Sequence, residues 1–158
     1  MDGVFPVEHD IVLLDMSTRE IHPVKETPSI TFIQNWDKLP FYPFKIISGT
    51  PEYVSSMTQE ILSELPEKFS LYQNYPNPFN PTTTIRFDIP EPSHISLKVY
   101  NLMGQEVRTL TNEWLPTGSH HLIWNGKDQR GIPVSAGVYI YRLQSQNFQK
   151  TRKMVLLK

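Results

Sequence analysis

The chain has 158 residues, enough for one ordinary domain or two small ones. No apolar run approaches the length of a transmembrane helix, and the absence of cysteine excludes disulfides, thiolate metal sites and thiol nucleophiles. A net charge of −1 favours neither nucleic acid nor an anionic membrane as a partner.

The charges are distributed unevenly along the chain. Residues 1–68 carry 5 basic and 11 acidic side chains, whereas residues 69–158 carry 10 basic and 5 acidic ones. A change of sign at mid-chain predicts two modules. We place the boundary between Leu65 and Phe69.

The first module, residues 1–54, has the pattern of short β-strands. Strands are predicted at Ile11–Asp15 and at residues 18–24, 29–34 and 39–49, where prolines confine them to edges or strand ends. About four strands are too few for an independent sandwich. Two interpretations are open: a partial β-rich module that ends a larger domain, or a small extension that packs on the second module.

Residues 55–68 form the predicted connection between the modules. The segment 55–65 has a partial apolar face, with Ser55 or Ser56 as candidate caps, and Pro66 would end a helix there. Because so short a helix is marginal by itself, a plain linker is an equal alternative.

From Thr82 onward the pattern is β throughout. Two segments alternate apolar and polar residues, which predicts strands with one buried face. Their apolar members are Ile85, Phe87, Ile89, Ile95, Leu97 and Val99. Gly104 is predicted to close a hairpin whose return strand is 106–110.

Further strands are predicted over 117–124 and in a last hairpin that reaches the end of the chain, with a loop around Gly131 between them. The sequence therefore predicts an all-β fold. Residues 69–158 are expected to form an immunoglobulin-like antiparallel β-sandwich of about seven strands, preceded by the partial β-rich module.

The segment "QNYPNPFNP", residues 73–81, which we call the strap, leads into this sandwich. Its three prolines fix their own φ angles, lack an N–H, and push the preceding residues toward extended geometry. We expect the side chains of Asn77 and Asn80 to form local turns, and Tyr72, Tyr75 and Phe79 to press on the neighbouring surface.

The second module resembles a known family. The segments that carry the resemblance are "LYQNYPNPFNPTTTIRFDIP", "VYNLMGQEVRTL", "GSHHLIWNGKDQRGIPVSAGVYIYRL" and a terminal "KMVLLK". In this order they resemble the type A C-terminal sorting domain of type IX secretion, which occurs in the Bacteroidetes and related phyla. The resemblance implies a sandwich that directs exported cargo through an outer-membrane translocon to the cell surface, where a sortase commonly removes it.

The resemblance also implies recognition residues and a location. The matching positions are Pro76, Asn77, Pro78, Gly104, Gly137, Tyr139, Lys153 and Lys158. Removal would fall near Pro66–Leu71. At Asn125 this chain departs from the family, which often has aspartate there. The first thirty residues do not read as a signal peptide, so passage through the periplasm implies that the chain is a fragment of a longer precursor.

A weaker similarity, to the immunoglobulin-like domain of flagellar hook-capping proteins, supports a second function. In that alternative the sandwich is a structural or adhesive module that is retained on a surface protein or polymer. The last 17 residues, Arg142–Lys158, contain five basic and no acidic side chains. They form either the solvated face of an edge hairpin or a surface that steers the domain to an acidic partner, and the edge strand could support self-association.

The sequence predicts no enzyme, no cofactor and no metal site. The adjacent His120 and His121 should point to opposite faces of one strand, so they cannot share a metal. No nucleophile motif or phosphate loop is present. The aromatic residues Trp36, Phe41, Tyr42 and Phe44 could form a sugar platform, although such residues more often pack a small β-core.

Overall fold

The computed structural model describes residues 10–24 and 44–157. The chain divides into two compact units, Met1–Leu65 and Pro66–Lys158. Within the described residues, no helix is both long and apolar enough to cross a bilayer.

The first unit contains a three-stranded antiparallel sheet. Its strands are β1 (Asp10–Asp15), β2 (Ile21–Pro23) and β3 (Phe44–Gly49), with β1 in the centre. The predicted strands at 11–15 and 18–24 correspond to β1 and β2, and β3 is the second half of the segment predicted at 39–49. The strand predicted at 29–34 lies outside the described residues.

A helix, α1 (Pro51–Glu64), packs on this sheet. It starts four residues before the predicted position, and neither Ser55 nor Ser56 caps it. Thr50 is the cap instead: its Oγ1 accepts a hydrogen bond from the Tyr53 N–H at 3.3 Å, and Pro51 occupies the first turn, where its missing N–H costs nothing. Thr58, Val54 and Ile61 are buried, so the helix belongs to the folded unit and is not a plain linker.

The second unit is a sandwich of seven antiparallel strands. They are β4 (Ser70–Leu71), β5 (Thr83–Ile89), β6 (Ser93–Tyr100), β7 (Glu106–Leu115), β8 (Gly118–Trp124), β9 (Gly137–Gln144) and β10 (Gln149–Leu156). One sheet has the order β10-β9-β6-β7 and the other the order β4-β5-β8. The predicted all-β fold with a seven-stranded immunoglobulin-like sandwich is confirmed. The return strand β7 runs five residues beyond its predicted end.

The core of the sandwich lies between the inner faces of these two sheets. The six apolar residues predicted on β5 and β6 are all fully buried, as the alternating pattern requires. Trp124, Tyr141, Phe79 and Phe87 are the largest side chains in this core. Because Phe79 comes from the strap rather than from a strand, the strap contributes directly to the core.

Two isoleucines on neighbouring strands give a matched test of this core. Ile85 is fully buried, whereas Ile123 is 62% exposed. We expect Ile85→Ala to reduce the free energy of unfolding by about 2–5 kcal/mol, because it removes buried methyl groups and leaves a cavity. Ile123→Ala should change it by about 0.5 kcal/mol at most. Urea unfolding followed by tryptophan fluorescence measures both; equal effects would contradict the assigned core.

Candidate functional site

The strap runs from one sheet of the sandwich to the other. At its start, Tyr75 forms a bridge with Thr84 of β5, with N–H to oxygen distances of 2.9 Å in both directions. Four residues later, Phe79 forms a parallel bridge with Leu156 of β10. The three X-Pro peptide bonds of the strap are cis. The strap thus links the three-stranded sheet to the edge strand of the four-stranded one.

Three hydrogen bonds join Val155 of β10 and the following Leu157 to the strap. The Val155 N–H donates to Oδ1 of Asn77 at 2.9 Å, the Phe79 N–H donates to the Val155 carbonyl at 3.0 Å, and the Leu157 N–H donates to the Phe79 carbonyl at 2.9 Å. The Asn77 side chain therefore bonds 78 positions along the chain instead of forming the predicted local turn. For Asn77 that prediction is wrong, because a side-chain amide fits a nearby strand edge as well as its own backbone.

Phe79 anchors the strap by its ring. Its side chain is only 1% exposed, and its ring centroid lies 5.6 Å from that of Trp124. Trp124 in turn meets Tyr139 edge-to-face at 5.1 Å. Tilted aromatic contacts of this kind stabilise a core beyond the area they bury. The prediction that Phe79 presses on neighbouring surface is confirmed.

Asn74 secures the other end of the strap. It is buried, and its side-chain amide donates to the Pro76 carbonyl at 3.0 Å and to Oγ1 of Thr83 at 2.9 Å. Its carbonyl oxygen accepts from the side chain of Gln73 at 2.7 Å. A buried amide is tolerated when its donors and acceptors are paired, as they are here. Asn74 stands just before the prolines of the strap, and nothing in its local sequence distinguished it from Asn77 and Asn80.

Tyr141 joins the beginning of the strap to the core. Its hydroxyl donates to the Tyr72 carbonyl at 2.7 Å and accepts from the Asn74 N–H at 2.9 Å. Burial raises the pKa of the Tyr141 phenol, and burial likewise raises the pKa of Tyr139, whose hydroxyl donates to the Ser135 carbonyl at 2.7 Å. Both phenols thus serve as neutral hydrogen-bonding groups.

The outward face of the strap is well exposed. Tyr75 is 82% exposed, so the prediction that it presses on the surface is wrong; its backbone bonds to β5 while its ring points away. Pro76, Asn77 and Pro78 are also exposed. On the adjoining strand, Lys153 has an exposed side chain, and its carbonyl accepts a hydrogen bond from Gln73 at 2.8 Å.

Most of the recognition residues implied by the resemblance meet at this place. Gly137 pairs with Leu156, and Tyr139 pairs with Met154, so both lie on the strand that holds β10. Gly104 lies apart, in the turn between β6 and β7, where its N–H donates to the Asn101 carbonyl at 3.0 Å. Lys158 lies outside the described residues. The site is therefore the strap with β10 and its neighbour β9.

Gly126, in the loop that follows β8, also belongs to this site. It is buried with φ near +67°, and a Cβ built on it would lie 3.2 Å from the Pro81 carbonyl oxygen and 3.4 Å from Leu156. Only glycine allows this close approach without strain. Glycine at this position therefore allows the end of the strap and the end of β10 to pack closely against the same loop.

The basic side chains at the end of the chain have different roles. Arg152 donates from Nε to the Leu71 carbonyl at 2.6 Å and so holds β4, while the guanidinium of Arg142 lies 4.9 Å over the ring of Tyr100. Lys150 and Lys153 are exposed. The exposed lysines of β10 are thus these two, which the alternation of the strand directs to opposite faces.

The other candidates for chemistry are the histidines and the aromatic residues of the first module. Within residues 10–24 and 44–157, no group of three or more histidine, aspartate or glutamate side chains gathers as a metal site would require. His120 stacks on Phe87 while His121 is exposed, so the two adjacent histidines do point apart. Of the proposed sugar platform, Phe44 begins β3, and Trp36, Phe41 and Tyr42 lie outside the described residues.

Sequence comparison relates part of the sandwich to a known domain. The FlgD Ig-like domain family matches residues 76–148, a little less than half of the chain. The matched region omits the start of the strap and all of β10. No curated protein matches the chain.

Three solved structures resemble the chain at low similarity. PorZ of Porphyromonas gingivalis, described as an essential bacterial surface component of the type-IX secretion system, is 22% identical over 56% of this chain, with a TM-score of 0.42. Dimeric latent PorU of the same organism is 20% identical over 55%, with a TM-score of 0.45. FLGD of P. aeruginosa is 25% identical over 47%, with a TM-score of 0.38.

The chain spans only a small part of the first two of these proteins. It covers 12% of the PorZ chain, 9% of the PorU chain and 58% of the FLGD chain. With TM-scores this low, no functional conclusion follows from the likenesses.

Two glycines test the packing of the strap against the loop below it. Gly126 and Gly131 both have positive φ, near +67° and +80°, but a Cβ on Gly131 would meet nothing within 4 Å. We expect Gly131→Ala to cost about 1–2 kcal/mol from backbone strain alone. Gly126→Ala should cost more, because the added methyl also displaces the Pro81 carbonyl. Urea unfolding compares the two; an equal cost would show that Gly126 is not crowded.

Hydrogen exchange tests the closure of the β10 edge. Asn77→Ala removes the acceptor of the Val155 N–H, which should weaken that region by about 0.5–1.5 kcal/mol and speed exchange of the Val155 amide by about threefold to tenfold. Asn80→Ala, at an exposed strap position, is the matched control and should leave that amide unchanged. Unchanged exchange in Asn77→Ala would contradict the bond.

Proposed function

We propose that the second unit is a C-terminal secretion signal of the type A sorting class, which directs an exported cargo through the outer-membrane translocon of type IX secretion to the cell surface. One observation carries the proposal. The two most distinctive segments of the resemblance, the strap and the terminal strand, form a single hydrogen-bonded surface although Asn77 and Val155 are 78 positions apart. A receptor that binds this surface would recognise the folded domain and not a linear peptide.

The division of the strap into buried and exposed groups supports recognition. Phe79 and Asn74 hold the strap in place from below. Tyr75, Pro76 and Pro78 face outward on a backbone that is fixed on both sides. A rigid, exposed surface loses little conformational entropy on binding, which favours affinity for a partner.

Lys153, whose carbonyl is bonded to the strap, adds exposed positive charge to the edge of the same surface. Charge at the rim of an interface mainly raises the association rate and the specificity for an acidic partner. In this proposal the partners are the translocon and a surface sortase that cuts near Pro66–Leu71. The chain would act at the cell surface after passing the periplasm, without catalysis and without a cofactor.

A pair of charge reversals tests the proposal. The whole chain is placed behind a signal peptide and a fluorescent reporter in a bacterium with type IX secretion, carrying either Lys153→Glu or Lys150→Glu. Both lysines are exposed on β10, but only Lys153 is directly bonded, through its carbonyl, to the strap segment. We expect Lys153→Glu to lower the reporter's surface fraction by about tenfold, and Lys150→Glu to act much less.

The controls separate recognition from folding. Protease resistance of each purified variant shows whether the sandwich is intact. Deletion of residues 153–158 removes the buried Met154 and Leu156 and should leave the reporter in the periplasm. Normal surface delivery of the deletion variant would contradict the proposal. Equal delivery of the two charge-reversal variants would show that Lys153 is not part of the recognised surface.

The family match to the FlgD Ig-like domain favours a second candidate, in which the sandwich is retained as a structural or adhesive module and can self-associate through its edge strand. Intact mass and terminal peptide mapping of the surface protein distinguish the two. A mature form that ends near Pro66–Leu71 supports a removable signal. A mature form that continues to Lys158 supports the retained module.

A further inference from the structure

A polar groove of about 780 Å³ crosses the outer face of the four-stranded sheet. Because β6 is an inner strand of this sheet, its outward side chains form the floor of the groove. β7 and the hairpin between β9 and β10 form its sides. The chief lining residues are His94, Ser96, Tyr100, Asn112, Trp114 and Gln144.

Both aromatic rings and neutral polar groups line this groove. Trp114 and His94 meet edge-to-face, with ring centroids 6.1 Å apart. Within the described residues, the side chains of Ser96, Asn112 and Gln144 make no hydrogen bond to protein. A ligand that offers both hydroxyl groups and a flat C–H surface would satisfy both kinds of group.

The charges in the groove leave little attraction for an ion. Lys98 of the lining is paired with Glu106, which lies outside the groove, at 2.9 Å, and Glu91 is the carboxylate among the described lining residues. A polyanion such as nucleic acid would need several free cations, which this groove does not provide. A peptide strand added to the free edge of β7 would extend the sheet in its own plane and would not lie across β6, which is paired with both β7 and β9.

We propose that this groove binds a neutral oligosaccharide. The C–H face of one sugar ring packs against the indole of Trp114, and the hydroxyl groups of the neighbouring sugar bond to Ser96, Asn112 and Gln144. The inference goes beyond the secretion function and does not depend on it. It also differs from the platform around Trp36, which belongs to the first unit.

Affinity electrophoresis of the whole chain tests the proposal. Native gels contain one of four neutral polysaccharides, namely mannan, dextran, laminarin or galactan, or the charged polygalacturonate. We expect retardation by at least one neutral polymer and none by polygalacturonate. Trp114→Ala and Asn112→Ala should weaken the retardation by about tenfold, because each removes a direct contact.

Two controls make either result decisive. The side chain of Asn112 is exposed and makes no hydrogen bond within the described residues, so Asn112→Ala tests binding without disturbing the strand pairing of its backbone. Trp114→Ala alone would not separate binding from folding. Trp36→Ala tests the first unit and should keep full retardation. The proposal is overturned if no neutral polymer retards the chain, if only polygalacturonate does, or if retardation survives both groove variants.

Discussion

The pairing of the strap with β10 is the constraint on which the second unit depends. An unpaired edge strand exposes a row of N–H and C=O groups that other chains can bind. Here the last exposed groups of β10 are bonded to Asn77 and Phe79, two residues of the strap that precede the first long strand of the sandwich. The two ends of the unit are thereby fixed to each other. The same pairing brings the ring of Phe79 onto Trp124, so the closure of the edge and the packing of the core depend on one contact.

The prolines explain why the strap can end the sheet without extending it. A proline has no N–H to donate, so Pro76, Pro78 and Pro81 cannot offer the outer side of the strap to a further strand. The donors that do exist on Tyr75 and Phe79 are used inward, toward β5 and β10. The strap therefore covers an edge without creating a new one. Its outward surface consists of side chains, which suits specific recognition better than open strand pairing.

Local pattern predicted the sandwich, because alternation is a property of neighbouring residues. Ile85 and Leu97 were identified by period alone. Contacts between distant segments were not predictable in this way. The bond from Asn77 to Val155 and the crowding of Gly126 by Pro81 depend on how strands far apart in the chain meet. The start of α1 was predicted too late for a local reason. The helix begins at Thr50 and Pro51, which are a cap and a first-turn residue, whereas the apolar face used for the prediction lies further along the helix.

The surface formed by the strap and β10 and the polar groove lie at different places on one sheet, because the groove reaches β9 and β10 only at the hairpin that joins them, far from Val155. In the order β10-β9-β6-β7, the exposed Lys153 is on one edge strand and Asn112 on the other. Three strand spacings separate them, about 14 Å. Substitutions this far apart, with no shared partner, act independently on stability. A receptor bound to the strap and β10 would therefore leave the far side of the sheet accessible, and a saccharide in the groove would leave the strap exposed. Recognition for export and recognition of a glycan are thus physically compatible on one small domain.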